Sequence, residues 1–272
     1  MRTERTGGRA LTAGVCTDSG AQLPGDLAAR LGIGVVPLTV RVAEQEFLEG
    51  EDLEADALYE MLAADDGDVE IVPPSPGQCA VAYEQLAAAG CESIIAVHSS
   101  VGGCNSLNAA RLAARAAPVP VRIVDCGSLS FGVGCCAWAV ADALQAGASV
   151  DDAVSLAESL GRRVGHVFCH GLPDGAPGFV VATGFAPDAV DIGPASSTEQ
   201  AVALMADHVS SYAPPRRVGI GAAGPQAVPV ADALAARLAA SADPPELVRY
   251  RIGAGVARRL RPDTVGCFIV PA

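Results

Sequence analysis

The strongest constraint on the fold is the regular alternation of short apolar runs with amphipathic stretches along the first half of the chain. Apolar runs typical of buried strands occupy residues 12–17, 33–42, 93–97 and 121–124. Between and after them, helical periodicity predicts helices over 21–31, 53–64, 77–89, 105–117 and 131–147. Strands that alternate with helices in this way predict an α/β fold built on a parallel sheet with helices on both faces.

The pattern of apolar runs is different in the second half of the chain, because two segments rich in Pro and Gly interrupt it. These breaks are HGLPDGAPG at 170–178 and YAPPRR at 212–217. Apolar runs at 179–185, 218–220, 247–252 and 265–270 predict strands, and residues 198–212 and 226–240 predict helices. We therefore predict a disordered tail over 1–10, an N-terminal Rossmann-like α/β domain over 11–150 and a C-terminal α/β domain over 151–272.

Composition excludes several classes of function. Half of the residues are hydrophobic and 18% are charged, which is typical of a folded globular protein. The net charge is −13, and because such a surface repels phosphate backbones, we expect no nucleic-acid partner. No apolar run approaches the roughly 20 residues that cross a bilayer. The N-terminal MRTERTGGRA has no adjacent apolar segment of a signal peptide, so we expect a cytoplasmic protein that does not span a membrane.

The nine cysteines are scattered and show no CxxC pair or zinc-site spacing. In a cytoplasmic chain most of them are expected to be reduced and buried, as small hydrophobic residues. We therefore predict neither a metal site nor a bound cofactor.

Polar residues follow three of the predicted strands. They lie at 17–19, 98–100 and 125–126, and the carboxyl ends of parallel strands form the edge at which ligands bind. We predict that these three turns converge on one crevice. Asp18 and Asp125 are candidates for metal ligands or bases, but such residues more often accept backbone N–H bonds within the next turn. Ser128 and Ser130 are predicted to cap the helix that begins near residue 131.

The segment HSSVGGCNSLNAAR follows the apolar run at 93–97 and contains residues that could catalyse a reaction. A thiol just before a helix N-terminus has a lowered pKa, so Cys104 is a candidate nucleophile with His98 as its base. Gly102 and Gly103 would let the backbone approach a ligand and offer N–H groups to an anion. The competing interpretation is that Cys104 is a packed core residue and that His98 is a hydrogen-bonded structural residue.

Several segments resemble the DegV family in both order and spacing. They are VCTDSGAQLP, LGIGVVPLTVRV, PPSPGQCAVAYEQL, HSSVGGCNSLNAARLAA, VDCGSLSFGVG and RIGAGVARRLRPDTVGCFIV. That family comprises two-domain bacterial proteins that bind fatty acids and present them to a fatty acid kinase. The resemblance implies a two-domain DegV-like fold, with a fatty acid in a tunnel between the domains and a kinase subunit as partner.

The same resemblance implies an altered head-group site. The family's T-S-Q-P-S-P loop aligns with residues 71–76, so that Ile71 replaces a Thr that contacts the carboxylate. The two leading serines of its S-S-x-L-S-G-T turn align with Ser99 and Ser100. The later Ser of that turn aligns with Gly103, and the Gly after it aligns with Cys104. The His of its H-T-G-P-G motif becomes Arg259, whose guanidinium could pair with a carboxylate. The predicted ligand-binding residues are Ile71, Ser75, Ser99, Ser100, Gly102, Gly103, Cys104, Asn105 and Arg259.

Three functional hypotheses follow, and the first is favoured. It is a non-catalytic carrier that encloses a fatty acid or another apolar small molecule between the two domains. The second is an enzyme of specialised metabolism on the same scaffold that uses Cys104 as a nucleophile on an acyl or related substrate. The third is a scaffold that keeps the fold without a ligand.

Overall fold

A computed structural model describes residues 12–42, 44–64, 69–101, 106–172, 177–184, 189–214, 216–257 and 259–271. The strands of the first half are β1 (Ala13–Asp18), β2 (Ile33–Val36), β3 (Thr39–Val42), β4 (Gln45–Leu48), β5 (Val69–Val72), β6 (Ser93–His98) and β7 (Val121–Asp125). The helices of this half are α1 (Gly25–Leu31), α2 (Ala55–Ala64), α3 (Pro76–Ala88), α4 (Ser106–Ala114), α5 (Phe131–Gln145) and α6 (Val150–Leu160).

The first sheet is parallel, with the strand order β2-β1-β6-β7. Every residue of β6 is buried, as is usual for a central strand that helices cover on both faces. Val15, Ile95 and Val124 lie in a hydrophobic cluster with α5 and α6, whereas Cys16 and Ile94 face a second cluster with α3. The predicted α/β class and its parallel sheet are confirmed.

The single strand predicted over 33–42 is wrong, because the chain leaves the first sheet at Pro37. Proline has no N–H to donate to a strand ladder and disrupts a central strand. Strand β2 therefore ends at Val36, and β3 pairs antiparallel with β4 and β5 in a separate three-stranded sheet.

The second sheet has six strands in the order β10-β9-β8-β13-β11-β12. Its strands are β8 (Gly165–Gly171), β9 (Phe179–Thr183), β10 (Val190–Ala195), β11 (Arg217–Ala222), β12 (Glu246–Arg251) and β13 (Val265–Val270). Helices α7 (Thr198–Ser210) and α8 (Val228–Ala239) pack on it, and the short α9 (Ala254–Ala257) follows β12. Only β11 and β12 pair in parallel. No helix in the described ranges is long and apolar enough to span a membrane.

Helix α6 bears on where the first domain ends. Ser149 caps it by accepting a hydrogen bond from the N–H of Asp152, and its buried face packs on α5 and β7. The division near residue 150 stays a prediction, and this packing favours a position after Leu160.

An aromatic stack joins the two halves. Phe131, the first residue of α5, lies parallel to the ring of Tyr250 on β12, with the ring centroids 4.4 Å apart. The ring of Phe268 on β13 meets Phe131 edge-on at 6.5 Å. Gly219 on β11 makes room for this stack, because a Cβ atom there would lie 2.1 Å from an atom of the Phe131 ring.

We expect Gly219→Ala to lower the free energy of unfolding by about 1–3 kcal/mol, because the added methyl group overpacks the buried stack. Urea denaturation measures the change. Gly25→Ala is the control, since a Cβ there meets nothing within 4 Å. Equal stability of the two variants would show that Phe131 does not fix the packing of the halves.

Candidate functional site

The carboxyl ends of β1, β6 and β7 meet at one edge of the first sheet. His98 and Asp125 are direct neighbours in the strand register, and the N–H of Cys126 donates to the carbonyl of His98. Asp18 at the end of β1 lies within hydrogen-bond distance of the His98 ring. The predicted convergence of the three turns on one crevice is therefore confirmed.

Asp18 and His98 form a buried polar pair. The Asp18 Oδ2 and the His98 Nδ1 are 2.7 Å apart, and His98 has no exposed surface. The other carboxylate oxygen of Asp18 accepts a hydrogen bond from the N–H of Gly20 and caps the 3₁₀ turn Ser19–Ala21. The His98 Nε2 is buried and has no hydrogen-bond partner among the described residues. Asp18 thus has the capping role that its position predicts, and it also orients the imidazole.

Asp125 organises the neighbouring turn. Its Oδ1 accepts hydrogen bonds from the N–H groups of Ser100 and Gly127, both at 3.1 Å. Burial alone would raise the pKa of Asp125, but the hydrogen bonds from Ser100 and Gly127 outweigh it and lower the pKa. The Ser99 hydroxyl accepts from the N–H of Val101. These contacts fix the chain from Ser99 to Val101, directly after β6.

A small cavity of about 30 Å³ lies beside this crevice. Asp18, Ser99 and Ser130 from the first half line it together with Val256 of α9. Its volume suits one or two water molecules and is too small for a metabolite.

A much larger cavity of about 710 Å³ lies close by, between the two halves. Its apolar wall in the first half includes Ala28 of α1, Val35 of β2 and Leu58 of α2, and the second half contributes Ala222 and Val228. A large apolar cavity at this junction agrees with the hypothesis of a carrier that encloses an apolar ligand between its two domains.

Glu49, which follows β4, connects the halves at the rim of the larger cavity. Its carboxylate accepts hydrogen bonds from the Ser19 hydroxyl and from the N–H of Ala254 in α9. Burial raises the pKa of Glu49 to about 7, although these two hydrogen bonds oppose the shift. Sequence reasoning missed Glu49, because it lies in the acidic run LEGEDLEAD, which is typical of a solvated surface loop.

The structure brings together only part of the predicted head-group site. Ser99 lines the small cavity, whereas Ser100 and Arg259 are exposed and line neither cavity. The Ser75 hydroxyl is also exposed and belongs to a capping box with Gln78 at the start of α3. Ile71 packs against the main hydrophobic cluster. Gly102, Gly103, Cys104 and Asn105 lie outside the described residues, so their predicted roles stay predictions.

The cap prediction for Ser130 is wrong. Ser130 occupies the N-cap position of α5, but its side chain makes no capping hydrogen bond. Its hydroxyl instead donates to the Gln22 Oε1 at 2.7 Å. Both residues have a positive φ, 55° for Gln22 and 53° for Ser130, which residues other than glycine rarely adopt.

Comparison with known proteins finds a matching family model and several relatives of this chain. The family model described as "uncharacterised protein, DegV family" matches residues 12–170. A DegV domain-containing protein of Streptomyces coelicolor is 38% identical over 144 residues, which cover 53% of this chain and 51% of that protein. One from Mycobacterium tuberculosis is 30% identical over 159 residues, covering 58% and 54% respectively. The chain thus spans about half the length of the curated relatives it matches.

Solved structures match nearly the whole chain. A DegV family protein of Thermus thermophilus, whose description reports fatty acid binding, has a TM-score of 0.81 at 23% identity and covers 96% of this chain and 100% of its own. DegV of Bacillus subtilis, described as a fatty acid binding protein, has a TM-score of 0.78 at 19% identity with the same coverage. A DegV family protein of Eubacterium eligens loaded with heptadecanoic acid has a TM-score of 0.76 at 13% identity, again with the same coverage. At these identities the matches show the two-domain fold.

We expect Asp18→Ala to lower the free energy of unfolding by about 2–3 kcal/mol, because it leaves the buried His98 ring without its partner and removes the cap on Gly20. Urea denaturation at neutral pH measures the loss. Asp151→Ala is the control, since the ion pair between Asp151 and Arg122 is exposed and should contribute little. An equal loss in both variants would contradict the role of the buried pair.

Proposed function

Since the chain belongs to the DegV family, we propose that it is a carrier that encloses a fatty acid or a similar acyl compound between its two halves. The observation that carries this proposal is the cavity of about 710 Å³ at their junction. Its volume falls within the range of about 300–1,000 Å³ that is usual for small-molecule sites.

The chemistry of the cavity wall supports an apolar ligand. Ala28, Val35, Leu58 and Val228 come from four different elements and converge on the same space. Each methylene group moved from water to such a wall contributes about 0.8 kcal/mol, so ten of them supply roughly 8 kcal/mol. That gain lies within the roughly 4–15 kcal/mol that the loss of translational and rotational freedom costs, so affinity should rise with the number of methylene groups enclosed.

The structural relatives support the same ligand class. The descriptions of the Thermus and Bacillus proteins report fatty acid binding, and the Eubacterium protein carries a seventeen-carbon acid. A kinase subunit that receives the acyl compound stays a prediction from the family resemblance. We further propose a cytoplasmic location, which is supported by the eight described cysteines, all of them free thiols.

The enzyme alternative depends on Cys104, which lies outside the described residues. One observation favours it: Asp18 holds the Nδ1 side of His98, so the unpartnered Nε2 is left to act as a base. Because no described residue forms a hydrogen bond with this buried nitrogen, no nucleophile is placed beside it, and the carrier remains the first choice.

We expect Val35→Trp to weaken the binding of a fluorescent fatty acid by at least about tenfold. Val35 is 37% exposed at the cavity wall, so the larger ring can fill the cavity without disturbing the core. Displacing two methylene groups of the ligand costs about 1.6 kcal/mol, which exceeds the 1.4 kcal/mol of a tenfold change.

Val81→Trp is the matched control, because Val81 is 51% exposed on α3 and lines neither cavity. Fluorescence titration measures both affinities, and thermal unfolding checks that both variants are folded. An unchanged affinity of the Val35 variant would remove the larger cavity from the binding site.

A further inference from the structure

We propose that the cavity between the halves selects acyl compounds with an uncharged head group, such as an alcohol, an ester or an amide, over the carboxylate anion. This inference rests on the proposed acyl-binding function and specifies which end group the site accepts. It follows from three features of the walls: carboxylates that face the cavity, arginines that are already neutralised, and one buried amide donor without a partner.

Carboxylates occur on the walls of both cavities. Glu49, Glu51 and Glu54 line the larger cavity, and Asp18 lines the smaller one. Glu51 and Glu54 are exposed at the rim, whereas Glu49 is held between the two halves by Ser19 and Ala254. An anionic head group in either cavity would therefore lie near a like charge.

The cations on the walls are committed to other groups. Within the described part of the chain, Arg249 and Arg251 are the cationic residues that line the larger cavity, and the smaller one has none. The Arg251 guanidinium donates to the carbonyls of Ala222 and Ala223 and pairs with Asp56. Arg249 likewise donates to the carbonyl of Ala231 and pairs with Asp232. Each guanidinium already pairs with a carboxylate of the chain, so a ligand carboxylate would have to share its positive charge.

Gln22 supplies a donor suited to an uncharged head group. It lines the larger cavity and is 7% exposed, and its Nε2 is buried without a hydrogen-bond partner. Its Oε1 is fixed by the Ser130 hydroxyl, which orients the amide. A buried donor without a partner is costly, so an acceptor from a ligand would be favourable there. A carbonyl or hydroxyl oxygen meets this need without adding charge.

Glu49 makes the discrimination depend on pH. The charged and titratable groups around it are Asp18, Tyr59 and Arg251, together with Glu51, Glu54 and Arg249 on the same cavity wall. Because burial raises the pKa of Glu49 to about 7, its negative charge grows as the pH rises from 6 to 8. In water a carboxylic acid with an ordinary pKa is ionised over this range, so the cost of placing it beside Glu49 increases as Glu49 ionises, and its binding weakens. The binding of an alcohol should not change.

The test compares three ligands of equal chain length: hexadecan-1-ol, methyl hexadecanoate and hexadecanoic acid. Their affinities are measured on the full chain at pH 6 and pH 8 by displacement of Nile red, an uncharged dye. At pH 8 we expect the alcohol and the ester to bind about tenfold more tightly than the acid, and the difference to shrink at pH 6. An acid that binds as tightly as the alcohol at pH 8 would overturn the inference.

Variants that remove a charge distinguish the effect of the wall carboxylates on affinity from the effect of the ligand's hydrophobicity. Glu51→Gln/Glu54→Gln should raise the affinity for the acid at pH 8 and leave that for the alcohol unchanged. Glu60→Gln/Glu84→Gln is the control, because it removes two exposed carboxylates that line neither cavity. Equal effects of the two double variants would contradict a role for the cavity wall.

Two single variants complete the test. Glu49→Gln keeps an oxygen for the N–H of Ala254 and should abolish the pH dependence of acid binding. Arg259→Ala should leave acid binding unchanged, because Arg259 lines neither cavity; weaker binding would assign the head group to Arg259 and overturn the inference. If none of the three ligands binds the unmodified protein, the proposed acyl-binding function fails instead.

Discussion

The packing of Phe131 against Tyr250 holds the two halves of the molecule together, and the cavity between them depends on it. The two rings lie nearly parallel with their centroids 4.4 Å apart, at the short end of the roughly 4.5–7 Å usual for offset-stacked aromatic pairs. Gly219 and Gly221 on β11 give the rings space, since a Cβ atom at either position would overlap Phe131 or Tyr250. The first sheet and the second sheet are thereby joined through α5, while the neighbouring region between α1, α2 and β12 stays open.

The open region combines an apolar wall with an acidic rim. Apolar side chains provide the affinity for a hydrocarbon chain, which is not directional. The polar groups decide which end group is tolerated, because a buried charge needs a partner of opposite sign. Glu49 links these two properties, since one carboxylate both bridges Ser19 to Ala254 and faces the cavity. The connection between the halves and the choice of head group therefore share a residue.

The elements that the sequence predicted well are those with strong local signals. Continuous apolar runs identified β1, β6, β7 and β13, and the convergence of three strand ends followed from parallel topology. Helix α6 and the strands β4, β5, β8 and β10 were not predicted. Strands β4 and β5 have four residues each, too few for a clear alternation, and β8 ends inside the Pro/Gly-rich segment 170–178. The break at Pro37 could have been read from its missing N–H.

The site itself depended on contacts that no local pattern shows. Ser130 was expected to cap its own helix, but its hydroxyl bonds to Gln22, 108 residues away in the chain. The bridge from Glu49 to Ala254 spans 205 residues. Such pairings arise from tertiary packing, within the first half for Ser130 and Gln22 and across the junction for Glu49 and Ala254. The sequence therefore predicted the fold but not the groups that surround the cavity.

The central claim is that the space between the halves holds an acyl compound. Native mass spectrometry of the purified, full-length chain tests it directly, by comparing the intact mass under gentle conditions with the mass after denaturation. The account predicts a lipid-sized mass difference that is lost on denaturation and that organic extraction recovers as an acyl compound. A native mass equal to that of the bare chain, unchanged after incubation with a long-chain alcohol and a long-chain acid, would contradict it.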